Sequence, residues 1–596
     1  MMRTFIRNQN GFVVFISLLM VLISLGYTVG YLHFVMGERI LFMQRFAETR
    51  ARYNALSGLS EEINGLIKGP GFAAGADTTL EEQEIPEMVG GYRDVYGAMI
   101  TDDFTHRSVH HGRATGYSTY NSFSNEPIEV TYTMELNYGA RGFEEFMYLT
   151  NEEAPGGGPW LGTTVNFGAG EILEGLVYSN DNITMSNFGC PEFINLMIDG
   201  EIAEYSEVYT AGDFRYGSSC DEDIFEGVFE DSMPKIAWPP YEGQELLKSK
   251  ADFIFHGDSD INIFSTDPDD HDDHIMTHIQ FLTGGAFRVR QWNYFIPPEF
   301  GPGTTAAELA IFNNKLRMYY PKHFRDTNGG NPAIYYGNIE FQHFDFPMPT
   351  IIDDFIIDQT IVASEAVIWI EGGQVQVEGI VSGRYTVATS GPVTYRLYHD
   401  NTTLMELNCN IWIMDDLVIE GHSNGIVPDG SPYRMGLLSG GNIIVANTNA
   451  NGKRNRQAGG QDILINAAMI AMNESFMIQY WQNSTALYNV TPPPLFSPIK
   501  GDGRGAIFAA STGSSDIRGT VTIHGSVVQD KRGYLKRNSP QPSTGGYNIT
   551  PGIGYEKNYH YDRNLRDFPP PEWPETKNAD GSSSLELAGI GEYLGE

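Results

Sequence analysis

The sequence predicts a mainly β protein that begins with one long α-helix, and three observations indicate this class. First, residues 12–36 carry no formal charge, and an amphipathic pattern without proline continues to Lys68. Second, Gly, aromatic residues and Asn/Ser-rich turns are frequent, whereas charged residues make up only 19% of the 596 residues. This composition favours packed β-structure over disorder. Third, residues 361–530 contain short β-branched segments between Gly, Asn and Asp turns, a pattern typical of β-solenoid coils.

The N-terminal helix is predicted to cross a membrane once. Residues 1–11 form a short leader made basic by Arg3 and Arg7, and the apolar run 12–36, at ~1.5 Å per residue, exceeds a hydrocarbon core of ~30 Å. A cleaved secretory signal would have an apolar region of only ~7–15 residues. The positive-inside rule then places the N-terminus in the cytoplasm and the body outside it. Residues 37–68 extend the helix with an amphipathic pattern that ends at a Gly-Pro-Gly sequence.

The charge of the chain is strongly uneven. Of the formal net charge of −37, the first 52 residues, with six Arg and two Glu, contribute +4, so the remainder carries −41. Such a field repels phosphate backbones and anionic headgroups. We therefore expect no nucleic-acid partner.

The body divides into four predicted segments. Residues 69–165 form a small antiparallel β domain, because Val130–Tyr138 alternates apolar and polar side chains. Residues 166–360 form a β/loop insertion region, and 361–568 form a solenoid of the right-handed β-helix type. A β-sandwich is the alternative, but it should show longer strands with cleaner alternation. The Pro/Gly/Ser-rich, acidic segment 569–596 is predicted to be a disordered tail.

The N-terminus resembles a known family. A basic leader, a Gly11-Phe12 junction, an apolar helix and an amphipathic continuation (FAETRARYNALSGLSEE) are similar to type IV pilins and type II secretion pseudopilins. The resemblance implies cleavage after Gly11 by a prepilin peptidase and methylation of Phe12. Major pilins have Glu at the fifth mature position, where this chain has Ile16. That departure points to a minor, tip-located subunit rather than to the main filament subunit.

Parts of the body resemble large PilX-like minor pilins. The matching blocks include FMYLTNEE, which ends at Glu153, VIWIEGGQVQVEGIVSGRYTVAT (367–389), IWIMDDLVIEG (411–421) and MGLLSGGNIIVA (435–446). The resemblance implies a non-catalytic cell-envelope subunit of a type IV pilus or type II secretion-like system. Its partners would be the bacterial inner membrane, other pilin-like subunits and the assembly platform, and its ectodomain would be periplasmic or extracellular.

Two other functions remain open. One is a membrane-anchored surface adhesin or scaffold that binds a glycan or another cell surface. The other is a carbohydrate-active β-helix enzyme, which would need carboxylates that converge in a groove. Asp415 and Asp416 are adjacent and would point to opposite faces of a strand, and Ser423 in a G-x-S-x-G pattern is followed by a Pro/Gly-rich loop instead of the helix that a nucleophile elbow needs. We expect no enzyme and no cofactor-binding fingerprint.

One acidic and histidine-rich segment is a candidate metal site. Carboxylates suit Ca²⁺ and imidazoles suit Zn²⁺ or Ni²⁺, but the segment matches no EF-hand loop, and acidic runs are commonly solvated loops. Ca²⁺ is the metal that we would place there first. The candidate ligands are Asp267, Asp269, Asp270, His271, Asp272, Asp273 and His274.

The chain has three cysteines. Cys190 and Cys220 lie in turn-like segments and are candidates for one disulfide in an oxidising compartment. Sequence spacing does not decide whether their Cβ atoms meet. Cys409 lies in an apolar stretch and is expected in a buried strand.

Overall fold

A computed structural model gives the fold. It describes residues 3–68, 78–80, 83–85, 89–101, 108–122, 124–140, 142–153, 164–187, 189–198, 201–238, 247–257, 274–294, 303, 305–308, 310–311, 348–349, 354–396, 404–446, 448, 450–451, 462–478, 516–533, 535–537, 553–578 and 585–592. The chain is mainly β, with one long N-terminal helix, a small antiparallel sheet and a large curled sheet. It divides into two compact units, of which unit 1 comprises residues 1–103, 107–140 and 582–596, and unit 2 comprises 104–106 and 141–581.

Unit 1 contains the helix, which runs without interruption over Arg3–Lys68. Residues 13–36 expose their side chains, whereas the later part packs on the sheet through small residues one turn apart, Ala47, Ala51 and Ala55, all of which are buried. The close approach requires Gly116, because a Cβ there would lie 1.9 Å from the Ala51 carbonyl oxygen. Asn54 fixes the contact by donating from Nδ2 to the Tyr117 carbonyl at 2.7 Å.

The sheet of unit 1 is entirely antiparallel. Its core side chains are Tyr92, Val95, Ala114, Met134 and Leu136, which pack against Ala55 and Leu59 of the helix. In spatial order its strands are Thr78–Leu80, Gly90–Thr101, Ser108–Asn121, Pro127–Ala140 and Leu585–Glu592, and Gln83–Ile85 also pairs with the second of these.

The last strand of unit 1 corrects the prediction for the tail. Residues 569–596 were expected to be disordered, yet Leu585–Glu592 pairs with Pro127–Ala140, and Trp573 is buried. The reason is a partner strand far upstream in the chain, which local composition does not reveal. Because Ala140 lies opposite Leu585, the sequence of unit 2 is inserted between two paired strands of unit 1.

Unit 2 is built mainly from two ladders of parallel strands, which share the strand Asp516–Lys531. In spatial order the first ladder is Val228–Glu230, Glu207–Thr210, Leu176–Ser179, Tyr148–Glu152, Asp516–Lys531, Ala468–Ala471, Arg434–Ser439, Arg384–Thr389, Glu365–Glu371 and Phe253–His256. The second is Glu192–Ile194, Glu171–Glu174, Ile553–Tyr561, Asp516–Lys531, Ile463–Ile465, Ile411–Ile419, Gln374–Val381 and His274–Leu282, continued antiparallel by Ala286–Tyr294 and Ile357–Val362.

Shorter elements complete unit 2. Ile443–Val445 and Phe476–Ile478 stack in parallel on the start of Ile411–Ile419, and Lys536–Arg537 pairs with Ile553–Tyr561. The remaining pairs are Leu196–Ile198 with Glu201–Glu204, Ile183–Thr184 with Phe214–Arg215, Ile236–Ala237 with Lys577–Asn578, and Val393–Arg396 with Leu404–Leu407. The short helices are Phe143–Glu145, Glu222–Ile224 and Asn564–Asp567.

The path of the chain through the ladders is not sequential. The first strand, Tyr148–Glu152, lies in the middle of its ladder, and the next strands proceed outward to Val228–Glu230 at one end. The chain then resumes at Phe253–His256 at the opposite end and returns to the middle at Asp516–Lys531. We call the contact of strands 148–152 and 171–174 with strands 516–531 and 553–561 the seam, because it joins the beginning of the unit 2 sequence to its end.

Strand pairing also crosses the predicted domain boundaries at 165/166 and 360/361. Those boundaries separate strands that pair directly, such as Phe253–His256 with Glu365–Glu371. The interior between the ladders is a single apolar cluster that includes Ile368, Val387 and Leu437, all fully buried. Parallel pairing across long sequence distances therefore makes one unit out of segments that differ in composition.

Candidate functional site

The N-terminal helix is the first candidate functional element. It is the one described helix that is long and apolar enough to cross a membrane, and the side chains of its apolar window are exposed. Gly11 and Phe12, the predicted cleavage junction, both lie within this helix. The helix is therefore consistent with a single membrane span.

The predicted metal site lies almost entirely outside the described residues. Asp267, Asp269, Asp270, His271, Asp272 and Asp273 belong to that part, so the Ca²⁺ prediction stays a prediction. His274 is the exception, and it begins the strand His274–Leu282, where it is buried beside the ring of Tyr294. Within the described ranges, no three His, Cys, Asp or Glu side chains are grouped so that they could hold a metal ion.

Cys190 and Cys220 lie together in unit 2. Their Sγ atoms are bonded and their Cα atoms are 5.6 Å apart, within the range that a disulfide requires. The bond joins two consecutive loops next to the parallel pair Ile183–Thr184 and Phe214–Arg215. Cys409 is a buried free thiol.

Asp416 and Ser423, the candidates for hydrolytic chemistry, both make hydrogen bonds with the backbone. Ser423 forms a tight bridge with Ile426, and the Gly425 amide donates to Nδ1 of His422 at 3.0 Å. Asp416 accepts from the Leu464 amide at 2.8 Å. Burial raises the pKa of Asp416, and the neighbouring Asp415 adds to that rise. Asp415 is exposed, whereas Asp416 is half-buried.

Buried Asn and Gln side chains form a row across neighbouring segments of the ladders, which we call the amide row. Oδ1 of Asn410 accepts from the backbone and side-chain nitrogens of Asn442, at 2.8 and 3.1 Å, and Oδ1 of Asn442 accepts from the Ser475 amide at 3.2 Å. Gln374 and Gln529 extend the row at its two ends. Each of these side-chain oxygens accepts a hydrogen bond from a backbone amide of a neighbouring segment, which keeps adjacent strands in register.

Charged side chains are buried at the seam. Arg532 donates from Nη1 to Oε2 of Glu153 at 2.9 Å and from Nη2 to Oε2 of Glu171 at 3.1 Å, and Lys557 donates to Oε1 of Glu171 at 2.8 Å. The Arg532 guanidinium carbon lies 3.5 Å from the ring centre of Phe167. None of the four charged residues is more than 7% exposed. Two cations and two anions thus neutralise each other inside the body.

The aromatic surroundings keep water from this charge cluster. Burial raises the pKa values of Tyr148 and Tyr559 well above their usual range. Burial also lowers the pKa of Lys557, an effect that Glu171 opposes and Arg532 reinforces. Local sequence does not reveal this cluster, because nothing near Arg532 indicates a partner at Glu153, 379 residues away.

Comparisons with known proteins give no further constraint: no protein-family profile, no curated protein and no solved structure matches this chain.

Proposed function

We propose that this chain is a non-catalytic cell-envelope protein, a minor pilin- or pseudopilin-like subunit of a type IV pilus or type II secretion-like system. The supporting observation is in unit 1, where one uninterrupted helix has an exposed apolar first half and a second half seated on a small antiparallel sheet through Ala47, Ala51 and Ala55. A helix of this form can lie in a bilayer and later pack against like helices of other subunits. This arrangement resembles the architecture of pilins.

The proposal includes a β-solenoid body. Support comes from the parallel registers of the two ladders and from the amide row along Asn410 and Asn442, since each coil of a solenoid contacts mainly its neighbours. The competing β-sandwich is built from antiparallel strands with Greek-key connections, which the parallel registers do not favour.

The proposal assigns the body a presenting role rather than catalysis. Asp416 and Ser423 take part in backbone turns, and the charges of Arg532 and Lys557 are paired inside the body. Inner-membrane attachment, a cytoplasmic N-terminus and contacts with other pilin-like subunits and the assembly platform belong to the same proposal. They rest on the N-terminal sequence and on the apolar helix.

The mature N-terminus provides the test. Mass spectrometry of the protein from cells with active prepilin peptidase should find a chain that begins at Phe12, with a methylated amino group. A Gly11→Val variant should retain the leader, whereas Gly26→Val, placed farther along the same helix, should be processed normally. A wild-type chain that still begins at Met1 would refute the pilin part of the proposal.

A second candidate is a membrane-anchored adhesin or scaffold that binds a glycan or another cell surface. The observation in its favour is the insertion of the large unit 2 sequence between two paired strands of unit 1, since a sequence inserted at this point leaves the strand pairing of unit 1 intact. Deletion of the pilus assembly ATPase separates the two candidates. Unchanged surface display favours the adhesin, and retention in the inner membrane favours the pilin-like subunit.

A further inference from the structure

The seam contains a lysine in an unusual position. Along the strand Ile553–Tyr561, Lys557 is buried in a row with Tyr555, Tyr559 and Tyr561. Lys557 lies opposite Glu171 of the parallel neighbouring strand. A charged ammonium in such a row is costly unless it is paired or loses its charge. The structure therefore holds an amine and a carboxylate face to face, with little water around them.

The contacts place each atom for a reaction. Nζ of Lys557 lies 2.8 Å from Oε1 of Glu171, while the other oxygen, Oε2, accepts from Nη2 of Arg532 at 3.1 Å. Arg532 is itself balanced by Glu153 at 2.9 Å. Oε1, which lies next to the amine, can therefore depart as the leaving group. Oε2, which accepts from the guanidinium, is stabilised if it gains negative charge.

We propose that Lys557 and Glu171 condense into an intramolecular amide bond, an isopeptide cross-link across the seam. Lys557 first transfers one proton to Oε1 of Glu171, which gives a neutral amine and a carboxylic acid. The nitrogen lone pair then attacks the Glu171 carboxyl carbon, a C–N bond forms, and the C–Oε1 bond breaks. The departing oxygen takes a second proton from the nitrogen and leaves as water, so that the reaction needs no oxidant, reductant or activating group.

Three features of the site support the reaction. Burial lowers the pKa of Lys557, which favours the nucleophilic neutral amine. Product formation removes two buried charges, and the remaining ion pair of Arg532 and Glu153 is neutral. The aromatic rings of Tyr148, Phe167 and Tyr559 exclude the water that would reverse the step.

A second lysine in the same region serves as a matched control. Nζ of Lys531 lies 3.5 Å from Asp530 and 3.9 Å from Glu474, and its side chain is 25% exposed. Despite the opposing effect of burial, the acidic neighbours raise the pKa of Lys531. Lys531 therefore keeps its proton and should not condense.

Intact mass spectrometry of the purified full-length chain tests the proposal. The protein is denatured and reduced, so that the disulfide makes no contribution. Its mass is compared with that calculated for the sequence from its own N-terminus, with the methyl group included where the leader has been removed. We expect a deficit of one water, and after proteolysis a branched peptide that joins Lys557 to Glu171. Lys557→Arg keeps the charge but cannot condense and should show the full mass, whereas Lys531→Arg should retain the deficit.

The folded state is monitored separately. All seven tryptophans lie in unit 2, so their fluorescence reports whether each variant has folded. A folded wild-type chain with its full mass and no branched peptide would overturn the proposal. A deficit of one water that persists in folded Lys557→Arg would overturn it as well.

Discussion

The seam and the neighbouring strands of unit 2 are stabilised in different ways. Between strands that are close in sequence, such as Glu365–Glu371 and Arg384–Thr389, the interior is apolar, with Ile368 and Val387 fully buried side by side. At the seam the interior contains Arg532, Lys557 and two glutamates. Strands close in sequence meet readily, and apolar burial suffices. Segments far apart in the sequence need a selective contact, which a buried charge network provides at a cost in desolvation.

The largest expected effect is the removal of Arg532. Arg532→Met leaves Glu153 without its ion-pair partner inside the body, and the loss of one partner of a buried pair costs about 3–5 kcal/mol. Urea unfolding followed by tryptophan fluorescence measures it. Arg288→Met breaks the ion pair with Asp358, in which Arg288 is 37% exposed, and should cost about 0–1 kcal/mol. Equal costs for the two variants would contradict the special role of the seam.

The apolar interior between the ladders should instead be sensitive to the loss of side-chain volume. Leu437 is fully buried in the ladder interior, and a buried Leu→Ala change costs about 2–5 kcal/mol through lost burial and the cavity left behind. We expect about 3 kcal/mol for Leu437→Ala in the same urea assay. Raising the salt concentration should leave this effect unchanged. A strong salt dependence of the destabilisation by Leu437→Ala would show that apolar packing does not stabilise this interior.

A pH titration distinguishes a buried neutral side chain from the charged network. Burial, with His560 adding a like charge, lowers the pKa of His524 to about 4, while Glu174 and Asp429 act in the opposite direction. Between pH 6.5 and 4 the unfolded chain binds a proton that the folded chain does not, so the contribution of His524 is present above pH 6.5 and is lost as pH falls. We expect a loss of about 3 kcal/mol, since the pKa differs by about 2.5 units between the two states and one pKa unit corresponds to about 1.4 kcal/mol.

The control for this titration is His524→Asn, whose side-chain oxygen can still accept from the Val427 amide as Nδ1 does now. Burial raises the pKa of Asp562 to about 6, so this carboxyl has the opposite effect: its folded form binds a proton in that window, and stability falls as pH rises. Asp562 is common to both proteins, and the difference between them isolates His524. Identical pH profiles would contradict the assignment.

The smallest effect is expected in the amide row. Asn442→Ala removes the acceptor of the Ser475 amide and the donor to Asn410, and unsatisfied buried groups cost about 1–3 kcal/mol. We expect about 1.5 kcal/mol in urea unfolding. Asn293→Ala, at an exposed position of the strand Ala286–Tyr294, should change stability by at most about 0.5 kcal/mol. If Asn442→Ala and Asn293→Ala change the free energy of unfolding equally, the amide row does not set the register of the neighbouring strands.

Local sequence patterns predicted the local elements of this fold. The apolar and amphipathic stretches predicted the long N-terminal helix. Short β-branched runs such as Val367–Ile370 and Ile411–Met414 lie in the strands Glu365–Glu371 and Ile411–Ile419. Long-range pairing was not predictable. Nothing near Leu585 indicates a partner at Ala140, and nothing near Lys557 indicates Glu171. The acidic segment from Asp267 to Asp273 lies outside the described residues, so its prediction is untested.

The path of the chain through unit 2 has a consequence for synthesis. Strands Tyr148–Glu152 and Glu171–Glu174 leave the ribosome early, but their neighbours on the seam side, Asp516–Lys531 and Ile553–Tyr561, are made last. Lys557 follows Glu171 by 386 residues, which at ~5–20 residues per second leaves an open strand edge for roughly tens of seconds. Such an edge is a template for aggregation. The nascent chain therefore needs protection, by a holding chaperone or by prompt export, until its C-terminal strands arrive to close the ladder.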